Sequence, residues 1–345
     1  MRIHGLIFSA FGVLAFAVTA NMALAAQAPP TPPAAQDNNA YPDFGYHEVP
    51  GWGKLPAGRK WGGVSGIDID KDGKSVWVFD RCENADDGCN IHKDEDPILK
   101  FDQNGNLVKS FGKGQVAYAH GIYVDAQDHI WTADGLAKSG AAGDVVREWD
   151  QNGKLLRTMG EFGVPGTDPN HYNGVSDVLV APNGDIFVAD GHDNKTNNRI
   201  LKYDHSGKFI TQWGKLGAGP GEFNSPHGLA MDKEGRLYVA DRSNSRIQIF
   251  DQDGNFLTEW RQFGRPSGIY IDKNDNIYVA DSLSSPQNNP GFKNGIRWGS
   301  IKDGKVVGFL PWGEYNAIEA VVTDDAGNIY AGFTNTLNFR KFSKN

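Results

Sequence analysis

The chain repeats itself six times, and that restricts its fold more than any other feature. Each copy holds an alternating apolar strand, a turn of Asp-x-x-Gly character, an aromatic-Val-Ala-Asp segment, then a third strand and an Asp-x-x-Gly hairpin. The copies open near residues 64, 120, 176, 226, 266 and 319. Their second strands occupy residues 76–80, 130–134, 186–190, 237–241, 277–281 and 329–333. Outer strands follow, as in residues 200–204 with 207–213, and 247–251 with 254–260. Alternation bounded by Asp/Asn-Gly turns predicts antiparallel meanders. Four strands at a period of about 40 to 55 residues predict an all-β, six-bladed β-propeller with four-stranded antiparallel blades. The sixth copy runs out soon after its third strand. A strand near residues 46–49 is expected to complete that blade and close the ring, hiding the edges of the sheets.

Composition agrees with this reading. The 345 residues include 43 Gly and only 4 Met, which suits many tight turns and not a helical bundle. The net charge of −8, with no basic block, argues against nucleic acid or an anionic membrane as partner.

The propeller is expected to span residues 46–345. Residues 1–25 read as a secretory signal peptide: a short basic start, an apolar run at 6–18, and Ala23-Leu24-Ala25 as the cleavage pattern. Residues 26–45 read as a Pro/Ala-rich linker. The mature protein is therefore expected to be exported, periplasmic or secreted, with no membrane attachment after cleavage, and monomeric. Export permits a disulfide. Cys82 and Cys89, the only cysteines, are expected to staple one loop; a thiolate metal pair is the alternative reading.

Residues that differ between equivalent positions carry the functional signal. The first strand of each blade lines the axis, so its opening residues form a ring: Ser65, His120, Ser176, His227, Ser267 and Glu319. Blades two, four and six stand about 120° apart. His120, His227 and Glu319 thus converge as a tripod for zinc, with a fourth position open for water or substrate. The alternative is three unrelated polar residues at a hydrated channel mouth. A second ring follows the Val-Ala-Asp segments and contains two cations, Arg81 and Arg242, suited to gripping a carboxylate. Their alternative is a salt bridge within the scaffold. His192, one residue further on, suits a general base; the alternative is an exposed loop histidine. The recurring Asp80, Asp134, Asp190, Asp241 and Asp281 read as strand-tying residues. Trp77, Trp131, Trp149, Trp213 and Trp260 read as packing.

The repeats resemble NHL repeats. Several stretches, notably Pro165 to Tyr172, Phe187 to Gly191, Gly207 to Gly214, Pro226 to Leu229 and Ala240 to Ile247, look like the peptidyl-α-hydroxyglycine α-amidating lyase family. The resemblance covers most of blades one to four and thins in blades five and six. It implies zinc on the axis and cleavage of a carbinolamide C–N bond, releasing an amide and glyoxylate. His120 and His227 match two of that family's three zinc histidines, and Glu319 stands where the third belongs. Arg81 and Arg242 match its active-site arginines. His192 stands in place of its catalytic tyrosine. Ile67 and Ile122 match residues whose backbone carbonyls hold calcium there, while Ala320 replaces the aspartate of that site. The resulting expectation is a metal-dependent lyase acting on a small-molecule or peptide-derived substrate that carries a carboxylate. The alternatives are a non-catalytic NHL propeller that binds a peptide or glycan in the cell envelope, and a calcium hydrolase of the lactonase type, which the two axial histidines disfavour.

Overall fold

The computed structural model describes residues 39–136, 142–313 and 317–344. The expected signal peptide and the linker up to residue 38 lie outside the described residues. Asn39 to Gly45, assigned to the linker from sequence, lie against blade five. Asn39 Nδ2 donates to the Gly291 carbonyl (2.9 Å), and the Phe309 amide donates to the Pro42 carbonyl (3.2 Å).

The strands form six four-stranded antiparallel sheets around an axis. The first strand, β1 (Tyr46–Glu48), belongs to the last blade. Blade one is β2 (Val64–Ile69), β3 (Val76–Asp80), β4 (Ile98–Phe101) and β5 (Leu107–Phe111). Blade two is β6 (Ala119–Val124), β7 (Ile130–Leu136), β8 (Ala142–Trp149) and β9 (Leu155–Met159). Blade three is β10 (Val175–Val180), β11 (Ile186–Asp190), β12 (Arg199–Tyr203) and β13 (Phe209–Trp213). Blade four is β14 (Pro226–Met231), β15 (Leu237–Asp241), β16 (Arg246–Phe250) and β17 (Phe256–Trp260). Blade five is β18 (Pro266–Ile271), β19 (Asn276–Asp281), β20 (Gly295–Ser300) and β21 (Val306–Pro311). Blade six is β22 (Ile318–Thr323), β23 (Ile329–Phe333), β24 (Asn338–Lys344) and β1, with His47 opposite Ser343. The ring closes as expected, by strands from opposite ends of the chain.

Local chemistry fixes the hairpins. At Asp251-Gln-Asp-Gly254 the Asp251 carboxylate accepts the amides of Asp253 and Asn255, both at 2.9 Å. Gly254 takes φ +84°, a left-handed conformation that a Cβ would strain. The apolar core lies between blades. Trp77 and Phe79 of blade one pack with Ile122, Ile130 and Trp149 of blade two. Trp77, Trp149 and Trp260 are fully buried, as packing residues should be. Each contributes about 1.5–3 kcal/mol by burial.

The recurring aspartates tie strands together. Asp134, Asp190, Asp241 and Asp281 pair with Arg147, Arg199, Arg246 and Arg297 on the third strand of the same blade. Asp80 instead pairs with Arg59, at 2.9 Å. The same carboxylates hold the loop entering the blade: Gly62 N donates to Asp80 and Asn224 N to Asp241. Cys82 and Cys89 form a disulfide, stapling the loop after β3, so the thiolate metal reading is excluded.

Candidate metal centre

In blades one to four, the ring residue of the inner strand anchors the next blade. Ser65 Oγ donates to the Ala119 carbonyl (2.7 Å), and Ser176 Oγ to the Pro226 carbonyl (2.6 Å). The two ring histidines do the same with imidazole. His120 Nδ1 lies 2.6 Å from the Ser176 carbonyl, and His227 Nδ1 lies 3.2 Å from the Ser267 carbonyl. A carbonyl only accepts, so Nδ1 carries the proton and Nε2 presents a bare lone pair. This is the arrangement that orients a metal-ligating histidine.

Those lone pairs meet nothing that donates to them. His120 Nε2, His227 Nε2 and Glu319 Oε2 are buried and have no hydrogen-bond partner among the described residues. Burying such atoms unsatisfied costs about 1–3 kcal/mol each. Glu319 Oε2 stands 3.3 Å from His227 Nε2. The rings of His120 and His227 are 4.6 Å apart between centroids. Burial, and then the charge of Arg81, push the His120 pKa down to about 3. Burial, and then Arg242, hold His227 and His192 well below the ordinary imidazole range. Neutral imidazoles beside a carboxylate form a donor set suited to a borderline-soft divalent cation. Their orphaned nitrogens fit such an ion.

His192 lies closer to the cluster than sequence indicated. Its ring centroid is 4.9 Å from that of His120 and 5.3 Å from that of His227. One ligand atom from each of the three histidines falls within 4.8 Å of the others. The residue follows β11 on a loop pinned from several sides. Thr196 Oγ1 accepts the His192 amide, while Ser225 Oγ and Arg242 donate to its carbonyl. The run Asp190-Gly-His192 with Thr196 downstream was the available signal. A base and a ligand look alike in it.

The arginines answer differently to the salt-bridge alternative. Arg81 is 4% exposed, lies 4.0 Å over the Tyr118 ring, and donates to the carbonyls of Ala119 and Ala85. Neutral carbonyls hold it, so its charge is left uncompensated. Arg242 opens a single turn of 3-10 helix (Arg242–Asn244), with one guanidinium nitrogen 3.7 Å from Glu319 Oε1.

The inner strands enclose an axial cavity of about 300 Å³, lined by His120, His227 and Glu319 among others. Ile67 and Ile122, the expected calcium residues, line it too. The inward carboxylates Asp68 and Asp177, which sequence reasoning did not single out, also face it. Both are committed to backbone amides. Asp68 accepts from Ile69 and Val124, and Asp177 from Val178 and Leu229. Gly121 leaves room for Asp177: a Cβ there would come within 2.3 Å of its Oδ1.

These carboxyls make stability pH-dependent. Burial raises Asp68 to about 7 and Asp177 to about 8, against an unfolded value of 3.8. Between those limits the unfolded chain binds fewer protons, so stability falls as pH rises and the full loss is present above pH 8. In thermal melts these two carboxyls contribute a decline in stability from pH 5 to pH 9, opposed below about pH 6.5 by the three depressed histidines, which the unfolded chain protonates and the folded one does not. Asp177→Asn should remove on the order of 2–3 kcal/mol of that decline. Parallel pH curves for variant and wild type would refute the assignment.

Comparison with known proteins finds relatives of this chain. The NHL repeat family matches residues 223–250. Over 202 residues, 52% of this chain, the sequence is 34% identical to peptidylglycine alpha-amidating monooxygenase of Rattus norvegicus, covering 20% of that protein. It is 31% identical over 199 residues, 53% of this chain, to a probable peptidyl-alpha-hydroxyglycine alpha-amidating lyase of Caenorhabditis elegans, covering 54% of it. It is 34% identical over 160 residues, 45% of this chain, to NHL repeat-containing protein 3 of Homo sapiens, covering 44% of it. The chain is an NHL-repeat six-bladed propeller, distantly related to the α-amidating lyases. It spans between a fifth and about half of these relatives' lengths. A solved streptogramin B lyase shares the fold alone, with a TM-score of 0.55 at 14% identity, over 87% of this chain and 97% of that one.

Proposed function

We propose that this propeller is an exported, zinc-dependent carbon–nitrogen lyase that cleaves a carbinolamide bearing a carboxylate, releasing an amide and an oxoacid. The observation that carries the reading is the set of orphaned, buried donors, His120 Nε2, His227 Nε2 and Glu319 Oε2, beside two cations. A binding module has no use for such a set. The Cys82–Cys89 disulfide supports an oxidising compartment.

His120, His227 and Glu319 would hold the zinc, which when bound lowers the pKa of a coordinated hydroxyl. The protein's own residues do the rest. Arg81 and Arg242 seat the substrate carboxylate. Burial, and then the charge of Arg242, lower the pKa of His192; the anion offsets the charge, so His192 gains basicity once substrate is bound. His192 takes the hydroxyl proton. The C–O bond becomes a carbonyl as the C–N bond breaks, and the proton passes to the departing amide nitrogen. Atoms and charge balance: one carbinolamide gives one amide and one oxoacid.

Purified protein should contain one equivalent of zinc and release glyoxylate from an N-acyl α-hydroxyglycine. Chelation should abolish the release and zinc should restore it. A zinc-loaded protein inert toward such substrates would sink the reaction. His192→Ala should keep its zinc while turnover falls about 100-fold. Loss of zinc from that variant would make His192 a ligand instead of the base.

A further inference from the structure

A third guanidinium stands beside this site. Arg265 lies just before β18, outside both of the rings on which the sequence reading rests. One of its terminal nitrogens donates to Ser243 Oγ at 3.2 Å, and Ser243 is the residue next to Arg242. Its other terminal nitrogen is buried without a hydrogen-bond partner, and so is Arg242 Nε. Arg242 itself is 8% exposed. Burial, followed by the charge of Arg242, holds Arg265 below the ordinary guanidinium range.

The nearby acids, Asp281 and Glu319, offset this charge only in part. Asp281 is taken by Arg297 at 2.7 Å. Glu319 approaches Arg242 only to 3.7 Å and is shared with the histidine cluster. Arg81, Arg242 and Arg265 therefore stand close together with carboxylates that also serve other partners. Two of these arginines hold buried N–H groups that nothing in the described residues accepts. A single substrate carboxylate between Arg81 and Arg242 leaves Arg265 unanswered.

We propose that Arg265 forms a second anion subsite, so that the preferred substrate carries two anionic groups: the carboxylate at the reacting carbon and a second carboxylate further along. This rests on the proposed lyase reading for the first group only. Arg265 is a specificity residue and does not touch the reacting bond. Its buried terminal nitrogen meets the second group with a charge-assisted hydrogen bond.

Calorimetric titration of the zinc-loaded, full-length protein with succinate and with butyrate tests this. The two share a four-carbon chain and differ by one carboxylate. Succinate should bind about tenfold more tightly or better. Arg265→Gln should abolish that preference while leaving butyrate affinity unchanged, and Arg265→Lys should retain part of it. Equal affinity of wild type for the two acids would overturn the subsite. So would an equal weakening of both by Arg265→Gln, since that marks a structural role. Should Arg265→Gln fail to fold, the wild-type preference and its fate in Arg265→Lys decide the matter. A succinate preference without any lyase turnover upholds the subsite and removes the reaction; turnover without the preference does the reverse.

Discussion

His227→Ala leaves a folded ring that no longer holds zinc. Among the described residues the imidazole is tied outward by the Ser267 carbonyl, and its inward nitrogen, 3.3 Å from Glu319, has no hydrogen-bond partner. Removing it therefore takes little from the scaffold and one donor from the tripod. Loss of a ligand exceeds the roughly 10- to 100-fold cost of losing a ligand's supporting partner, so affinity should fall by about 100-fold or more. The readout is independent of catalysis. Zinc that binds the folded state alone should raise the melting temperature of the wild type. The same zinc should leave the His227→Ala melt unmoved, with the metal-free melts of the two proteins within a few degrees. Retention of a full equivalent of metal by the variant would remove His227 from the site.

The largest loss of stability should come from Arg246→Ala. Arg246 is buried at 1% exposure, and its Nε lies 2.7 Å from Asp241. It also reaches Glu259 at 2.7 Å and donates to the carbonyls of Ala218, Gly219 and Glu222. One side chain thus joins the second, third and fourth strands of blade four to the loop that leads into it. Truncation leaves Asp241 buried beside Asn224, Asn244 and Gln248 with its countercharge gone. Breaking such a pair from one side costs about 3–5 kcal/mol. In a domain of this size that is a fall on the order of 10 °C. Arg246→Lys keeps the charge but not the fork, and should recover only part of it. A melt within about 1 °C of wild type for Arg246→Ala would show that the clamp contributes little.

The fold was legible because periodicity is a global property: six copies in register leave one way to bury their faces and edges. The same register made His120, His227 and Glu319 comparable, since a ring position is a sequence position in each copy. Arg81 and Arg242 followed from the second ring. Legibility stopped where placement depends on a loop and not on the repeat. His192 sits one residue past its ring, and its approach to His120 depends on pins from Thr196, Ser225 and Arg242 that no spacing announces. Arg265 lies ahead of its strand, and its neighbour Ser243 belongs to a different blade. Asp68 occupies an inner-strand position where other copies carry Tyr, Leu, Ala or Val, and Asp177 one where they carry Gly or Ala. A carboxylate there is read as buried only once the axis is drawn.

The closing blade has a consequence for the order of events during synthesis. Its fourth strand is made early and its other three last, with His47 meeting Ser343 across nearly the whole chain. Blades one to five contain all their own strands and can form as they emerge. The sixth must wait, and closing so long a loop is entropically slow. Glu319 lies on that last blade, opposite histidines supplied by blades two and four. The donor set is therefore incomplete on a nascent chain and comes together only when the circle shuts. An ion held by that set would then be taken up by the finished molecule, the half-made one offering only part of the cage.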